Sequence, residues 1–186
     1  MIKLSLLILT TDSRKMWMDR MEFITRWQIR QLTNPDEVEI IVVKDNGEKT
    51  IGEKRNMAMD QARGIAVSYI DEDDIICDGY IQRGIDFANS DKDVASLIGL
   101  YFANGIYDRP FKHSLIYDNW ETKPNLYERC PNHLNFVKRE LIKDIKFEHK
   151  NFGEDGTASL LIRDKGILKT EYEINQCLYL YFARSK

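Results

Sequence analysis

The chain of 186 residues has little of what marks the specialised protein classes. Its three cysteines, Cys77, Cys130 and Cys177, are isolated, odd in number and without a C-x-x-C pair. That excludes a disulfide framework or a zinc–thiolate site as the basis of the fold and fits a reducing compartment. Four prolines and ten glycines are too few for a disordered or low-complexity chain. Charge is nearly balanced, 27 basic against 30 acidic residues for a net -3, so no global positive field draws the chain to nucleic acid. Long apolar runs are missing as well. The N-terminal MIKLSLLILTTDSR has no small-residue cleavage site and falls far below the roughly 20 apolar residues that cross a bilayer. A cytoplasmic protein with no membrane span is expected. Apolar residues make up 43% of the chain, enough for one domain with its own core.

What is present is an alternation of strand and helix patterns. IKLSLLILTT (2–11) is a continuous apolar run of strand length, as in a parallel strand covered on both faces. SRKMWMDRMEFITRWQIRQL (13–32) places Trp17, Met21, Ile24 and Trp27 at helical spacing, with Met18 and Phe23 beside them and Ser13 or Asp12 as N-cap. NPDE (34–37) reads as a turn and VEIIVV (38–43) as a second strand. IGEKRNMAMDQARG (51–64) reads as a helix closed by Gly64, IAVSYI (65–70) as a third strand, DGYIQRGIDFANS (78–90) as a helix and DVASLIGLYFA (93–103) as a fourth strand. Such alternation predicts an α/β fold with a mostly parallel central sheet flanked by helices. From 104 to 131 the chain is rich in aromatics and turns and has no clean period. Regular signals return in HLNFVKRELIKDI, GEDGTASLLIRDKG, ILKTEYEI and CLYLYFA.

Three short segments carry chemistry. The first is the block Asp71, Glu72, Asp73, Asp74 at the end of the third strand, where open α/β sheets bind ligands. Asp71 and Asp73 lie two apart and point the same way in extended backbone, so a cation between them would relieve their repulsion; carboxylate oxygens suit Mg²⁺ or Mn²⁺. A bare D-x-D-D is equally a solvated acidic loop or an acidic cap for the next helix. The second is IGEKRN (51–56), where Lys54 and Arg55 at a helix start oppose the macrodipole and suggest an anion site; the alternative is a solvent-facing first turn. The third is NFGEDGTASLL (151–161). Its Glu154 and Asp155 serve as an acidic N-cap, or one of them as a general base. His133 in CPNHLNF reads either as a metal ligand or substrate contact or as a hydrogen-bonded structural residue.

In their order these pieces resemble the GT-A fold glycosyltransferases, especially the inverting family 2 type, over roughly residues 3–165. The residues that carry the likeness are LLILTTDSR, the strand IIVVKDNG with Asp45, GEKRN, YIDEDD and FGED. The resemblance implies one GT-A domain over 1–186, with a nucleotide-sugar half in 1–103 and an acceptor half in 104–186. It implies an enzyme that moves a sugar from a nucleoside diphosphate donor, a UDP-sugar first among them, to an acceptor hydroxyl. Thr10, Thr11, Asp45, Arg55 and Asp71 would line the donor pocket. Asp73 would hold a divalent Mn²⁺ or Mg²⁺ on the diphosphate, with His133 as a substitute second ligand because CLYLYFARSK has no histidine. Asp155 would be the catalytic base, with Glu154 beside it. Small stand-alone chains of this kind occur in phage and bacterial genomes, and the acceptor would be a glycan, a protein or a modified nucleobase.

The opening turn TTDSR departs from the family, and Glu72 stands where a small residue is usual. Two other classes compete. A nucleotidyltransferase would want a glycine-rich phosphate loop after the first strand, and TTDSRK has no glycine. A non-catalytic nucleotide-sugar-binding module would have no need of the GED segment. The aromatics Tyr101, Phe102, Tyr107, Phe111, Tyr117, Trp120 and Tyr127 offer either a sugar-stacking surface or a loop packed on itself.

Overall fold

A computed structural model describes residues 1–184. The first strand, β1 (Leu4–Thr11), alternates its side chains between two cores. Leu4, Leu6 and Ile8 enter one cluster together with Met21, Ile81 and Phe87, whereas Leu7 and Leu9 enter the other with Ala58, Met59 and Tyr69. Both faces of β1 are therefore covered, which is why its sequence is a continuous apolar run. Each such side chain contributes about 1.5–3 kcal/mol on burial.

Helix α1 (Lys15–Arg30) follows a short 3₁₀ turn at 12–14 and covers one face; α2 (Ile51–Gln61) covers the other. Between them runs β2 (Val38–Asp45), preceded by a 3₁₀ turn over 35–37, and after α2 comes β3 (Ala66–Asp71). β2 and β3 flank β1 in parallel, with Thr11 opposite Asp45 and Leu9 opposite Asp71. The loop after β3 leads through β4 (Ile75–Ile76) to α3 (Tyr80–Ala88).

The expected fourth strand is two strands. β5 (Val94–Ala95) belongs to the first sheet and β6 (Leu97–Ala103) to the second, and the chain changes sheet at Ser96. Ser96 is buried there, its Oγ accepting from Ile174 N at 2.8 Å. The loosely patterned segment is also strand: β7 (Ile106–His113), β8 (Glu121–Lys123) and β9 (Leu126–Arg129). Then come β10 (Val137–Lys138), α4 (Arg139–Ile142), α5 (Glu154–Asp164), β11 (Glu171–Tyr172) and β12 (Cys177–Ala183). Two six-stranded sheets result, ordered β11-β5-β10-β3-β1-β2 and β4-β12-β6-β7-β9-β8. In the first, only β10 runs against its neighbours. The second brings β12 back to the middle of the chain, where it pairs with β6 in parallel.

Several local expectations are corrected. Neither Ser13 nor Asp12 caps α1, whose N-cap is Arg14 without a side-chain bond; Ser13 Oγ instead meets Thr11 Oγ1 at 3.0 Å. The buried face of α1 is Met21, Thr25 and Gln28, while Phe23 and Trp27 are exposed. Gln28 is buried because it ties α1 to α3, donating to Cys77 O at 2.9 Å and accepting from Ile81 N at 3.2 Å. Gly64 does not close α2, which ends at Gln61 on an extended Ala62. Gly64 lies against β1 instead, where a Cβ would stand 2.7 Å from Ser5 N and from Ala66 O. Among the described residues no helix is long and apolar enough to cross a membrane.

Candidate active site

The carboxyl ends of β1, β2 and β3 meet α2 and α5 at one edge of the first sheet, and the sequence-selected residues gather there in two groups. The first surrounds Lys54 and Arg55. Thr50 caps α2 in a capping box with Glu53, which fixes the first turn and turns Lys54 and Arg55 inward. Lys54 is buried and donates to Asp45 Oδ1 at 3.0 Å and to Thr10 O at 3.2 Å, stitching β1 to β2. Asp45 also accepts from Lys49 N at 2.8 Å and Gly47 N at 3.1 Å. Burial raises its pKa, but these backbone donors and Lys54 outweigh that and hold it below the usual carboxylate range. Thr10 is buried and Thr11 half-buried at the same strand end.

Arg55 lies between β3 and α5 with its side chain 5% exposed. Its Nε is 3.1 Å from Glu154 Oε1, its Nη2 3.5 Å from Asp71 Oδ1, and its guanidinium packs on the rings of Tyr69 and Phe147. Asn56, the next residue, pairs with the backbone of Phe147 through both amide atoms, each at 2.9 Å. The Arg-Asn pair thus pins α2 to the segment before α5. Glu154 opens α5 after Gly153, whose φ of 72° suits glycine, and its carboxylate is buried on Arg55. Asp155, one residue on, is 23% exposed and faces an open cavity.

His133 joins the two aspartates. Its buried ring places Nε2 3.4 Å from Asp71 Oδ2 and Nδ1 3.4 Å from Asp155 Oδ2. Burial and Arg55 lower its pKa, but the two carboxylates prevail and raise it above the ordinary histidine value. Against burial, His133 and Arg55 hold Asp71 down to about 2, and the same two groups keep Asp155 well below the usual range. Asp71 and Asp155 are therefore held ionised on either side of an imidazole whose protonated form they favour.

The second group is the loop after β3. Glu72 Oε1 and Asp73 Oδ2 lie 2.5 Å from Arg14 Nε and Nη2 respectively. Burial pushes the Glu72 carboxyl up to about 7 against the pull of Arg14. Asp74 turns into the interior, accepting from Phe182 N at 2.7 Å, and burial with the nearby Asp71 charge raises its pKa well above the usual value. Arg20 closes the loop from α1, donating to Asp74 O at 2.7 Å.

The expected metal pair does not converge. Asp73 is neutralised by Arg14 and His133 is packed between Asp71 and Asp155, so the two have different partners. Among the described residues no three His, Cys, Asp or Glu side chains form a group that could hold a metal ion. Divalent ions of this kind take several oxygen ligands, and Asp73, with Oδ2 on the Arg14 guanidinium, has no such set around it among the described residues. The residues present do not fit a resident metal.

Asp155 and His133 also line a cavity of about 240 Å³ with Tyr101, Trp120, Tyr127 and Arg129. Its aromatic wall follows from register. β6 and β12 pair in parallel with Tyr101 opposite Tyr181, and these rings stack at 5.3 Å between centroids. Arg129 lies over both Trp120 and Tyr127. The aromatic segment therefore forms part of the second sheet and opens toward Asp155. Sequence reading missed Arg14, Arg20 and the Lys54–Asp45 pair; the signal for Arg14 was a basic residue three positions past β1, beside the strand that ends in four acids.

No family model matches the chain. The minor teichoic acid biosynthesis protein GgaB of Bacillus subtilis (strain 168) is 26% identical over 132 residues, 66% of this chain and 14% of that protein. The chain thus spans about a seventh of this curated relative. The crystal structure of S. aureus TarS superposes over 98% of this chain and 37% of its own, at TM-score 0.67 and 17% identity. TarS 1-349 in complex with UDP-GlcNAc covers 100% of this chain and 60% of its own, at TM-score 0.62 and 14% identity. A197 from STIV covers 93% of this chain and 82% of its own, at TM-score 0.52 and 14% identity. These likenesses show the fold, which is the GT-A fold expected from the order of the motifs.

Proposed function

We propose that this GT-A domain is a glycosyltransferase that moves a sugar from a UDP-sugar to an acceptor hydroxyl with inversion at the anomeric carbon. One observation carries the reading: the ionised Asp155 carboxylate stands in the wall of an aromatic cavity, beside the strand ends where a nucleotide binds in such sheets. TarS, of the same fold, binds UDP-GlcNAc, which supports a uridine donor. Thr10, Thr11, Asp45 and Asp71 stand at the donor side. Arg55 and Glu154 hold α5 so that Asp155 points to the acceptor side. The aromatic wall suits the apolar face of a sugar or polyol ring.

The acceptor oxygen attacks the anomeric carbon from the face opposite the diphosphate. The new C–O bond forms as the bond to the diphosphate oxygen breaks, and the electron pair leaves with the nucleoside diphosphate. Asp155 receives the acceptor proton. One displacement inverts the carbon. His133 keeps Asp155 oriented and ionised. The relative named for minor teichoic acid biosynthesis supports a polyol or sugar hydroxyl in a surface polymer as acceptor.

The test is a transfer and hydrolysis screen with UDP-sugars, together with Asp155→Asn. Loss of a general base typically lowers turnover about 10²- to 10⁴-fold, while UDP affinity should stay near that of the parent. If no nucleoside diphosphate sugar binds, the reading fails. If donor binds but Asp155→Asn retains full transfer, the base is another group.

A further inference from the structure

We propose that Arg14 takes the place of a divalent cation in this site: its guanidinium is the counter-charge of the acidic loop and, in the donor complex, the positive group facing the diphosphate. The inference rests on the glycosyltransferase reading above and departs from the metal dependence that the D-x-D-D pattern suggests. Arg14 lies three residues past the end of β1, and Asp73 two past the end of β3, which is adjacent and parallel. Both therefore stand at the mouth of the sheet, on the nucleotide side. Arg14 engages Glu72 through Nε and Asp73 through Nη2, so Nη1 lies outside both ion pairs. Its side chain is 39% exposed, so a ligand can reach it.

A second observation points to an anion at the same edge. Arg20 and Arg184 both lie over the Trp17 ring, with Cζ 4.9 Å and 3.8 Å from its centroid. Burial and the neighbouring Arg184 charge lower the pKa of Arg20. Arg20 also holds the acidic loop through Glu72 O and Asp74 O, and two guanidinium groups that disfavour one another there gain from a bound anion. Planar guanidinium forks match phosphate oxygens better than a point charge does. The same reading explains Glu72, which the family pattern left without a role: it is the second carboxylate that fixes the Arg14 fork.

Two measurements on the full chain decide the matter. UDP affinity is measured by calorimetry in EDTA and in millimolar Mn²⁺, for the parent, Arg14→Ala and Arg14→Lys. The parent should bind UDP equally in both buffers. Arg14→Ala should bind about 10- to 100-fold more weakly in EDTA, the usual range for losing a charge-assisted contact, and should recover in part with Mn²⁺. Arg14→Lys, which keeps the charge and loses the fork, should fall between the two. A tenfold or greater gain with Mn²⁺ in the parent, or full UDP affinity of Arg14→Ala in EDTA, overturns the proposal. The second measurement is thermal stability with Mn²⁺ alone. Mn²⁺ should raise the melting temperature of Arg14→Ala, whose carboxylates are freed, and leave the parent unmoved; a rise in the parent overturns it. If UDP binds none of the proteins, the donor reading fails and this second measurement still decides the role of Arg14.

Discussion

Two arginines neutralise the same run of acids from opposite settings. Arg55 is buried inside the domain, 5% exposed, and bridges Asp71 to Glu154 across two elements. Arg14 is 39% exposed at the rim and bridges the adjacent Glu72 and Asp73. Four consecutive carboxylates are thus sorted by the geometry of the strand end. Asp71 still belongs to β3 and faces inward, Glu72 and Asp73 turn toward α1, and Asp74 folds beneath β12. Burial decides what each pair does. A dry pair holds elements together and is expensive to break, whereas a wet pair costs little to break and is free to exchange partners.

The comparison is tested hardest at Arg55. Replacing Arg55 with Met strands the Glu154 carboxylate in the interior, where an uncompensated buried charge costs about 3–5 kcal/mol. Chemical denaturation should show that loss, and α5 should open first in hydrogen exchange. The double variant Arg55→Met with Glu154→Leu removes the stranded charge and should recover much of the stability. Equal destabilisation in single and double variants would mean that the packing of Arg55 on Tyr69 and Phe147 matters more than its charge.

The same contrast explains what was legible in the sequence. β1, β2 and β3 are readable as apolar runs that pair with one another, and α3 because its apolar period reports its buried face. The second sheet is not. β7, β8 and β9 are short, mix aromatic and charged residues, and pair with partners set by distant register, so 104–131 shows no period of its own. The face of α1 was misjudged for a related reason. Trp17 and Trp27 look like core, but Gln28 is inside because it satisfies the backbone of Cys77 and Ile81, about 50 positions away. At the site, Asp71, Arg55, His133, Glu154 and Asp155 were each selectable by type, and the structure brings them together. Their pairing was not legible, because it joins residues up to 99 positions apart.

His133 gives the interior cluster a pH dependence. Its folded pKa is raised above the ordinary histidine value near 6.5, so its contribution to stability is complete below about pH 6.5 and is lost as pH rises through the folded pKa. Within that window one proton is released on unfolding, a slope of at most about 1.4 kcal/mol per pH unit. Denaturation midpoints should therefore fall on the alkaline side of neutrality. His133→Gln should flatten the profile there and lower the stability at pH 6.

The smallest effect belongs to the rim. Arg14→Ala takes a rim cation, 39% exposed, from Asp73, 21% exposed, and from the buried Glu72; ion pairs open to water are worth about 0–1 kcal/mol. The loss is smaller still because burial already pushes Glu72 up to about 7, so near neutrality that carboxyl is partly protonated and has little charge to strand. At pH 7 the melting temperature of Arg14→Ala should lie close to that of the parent. At pH 8.5 it should fall further below, because ionising the buried Glu72 without Arg14 beside it costs more as the pH rises. Adding Glu72→Gln should remove that extra loss. If Arg14→Ala instead costs as much as Arg55→Met at pH 7, the rim cation is a structural member like the interior one, and the division of the two by burial is wrong.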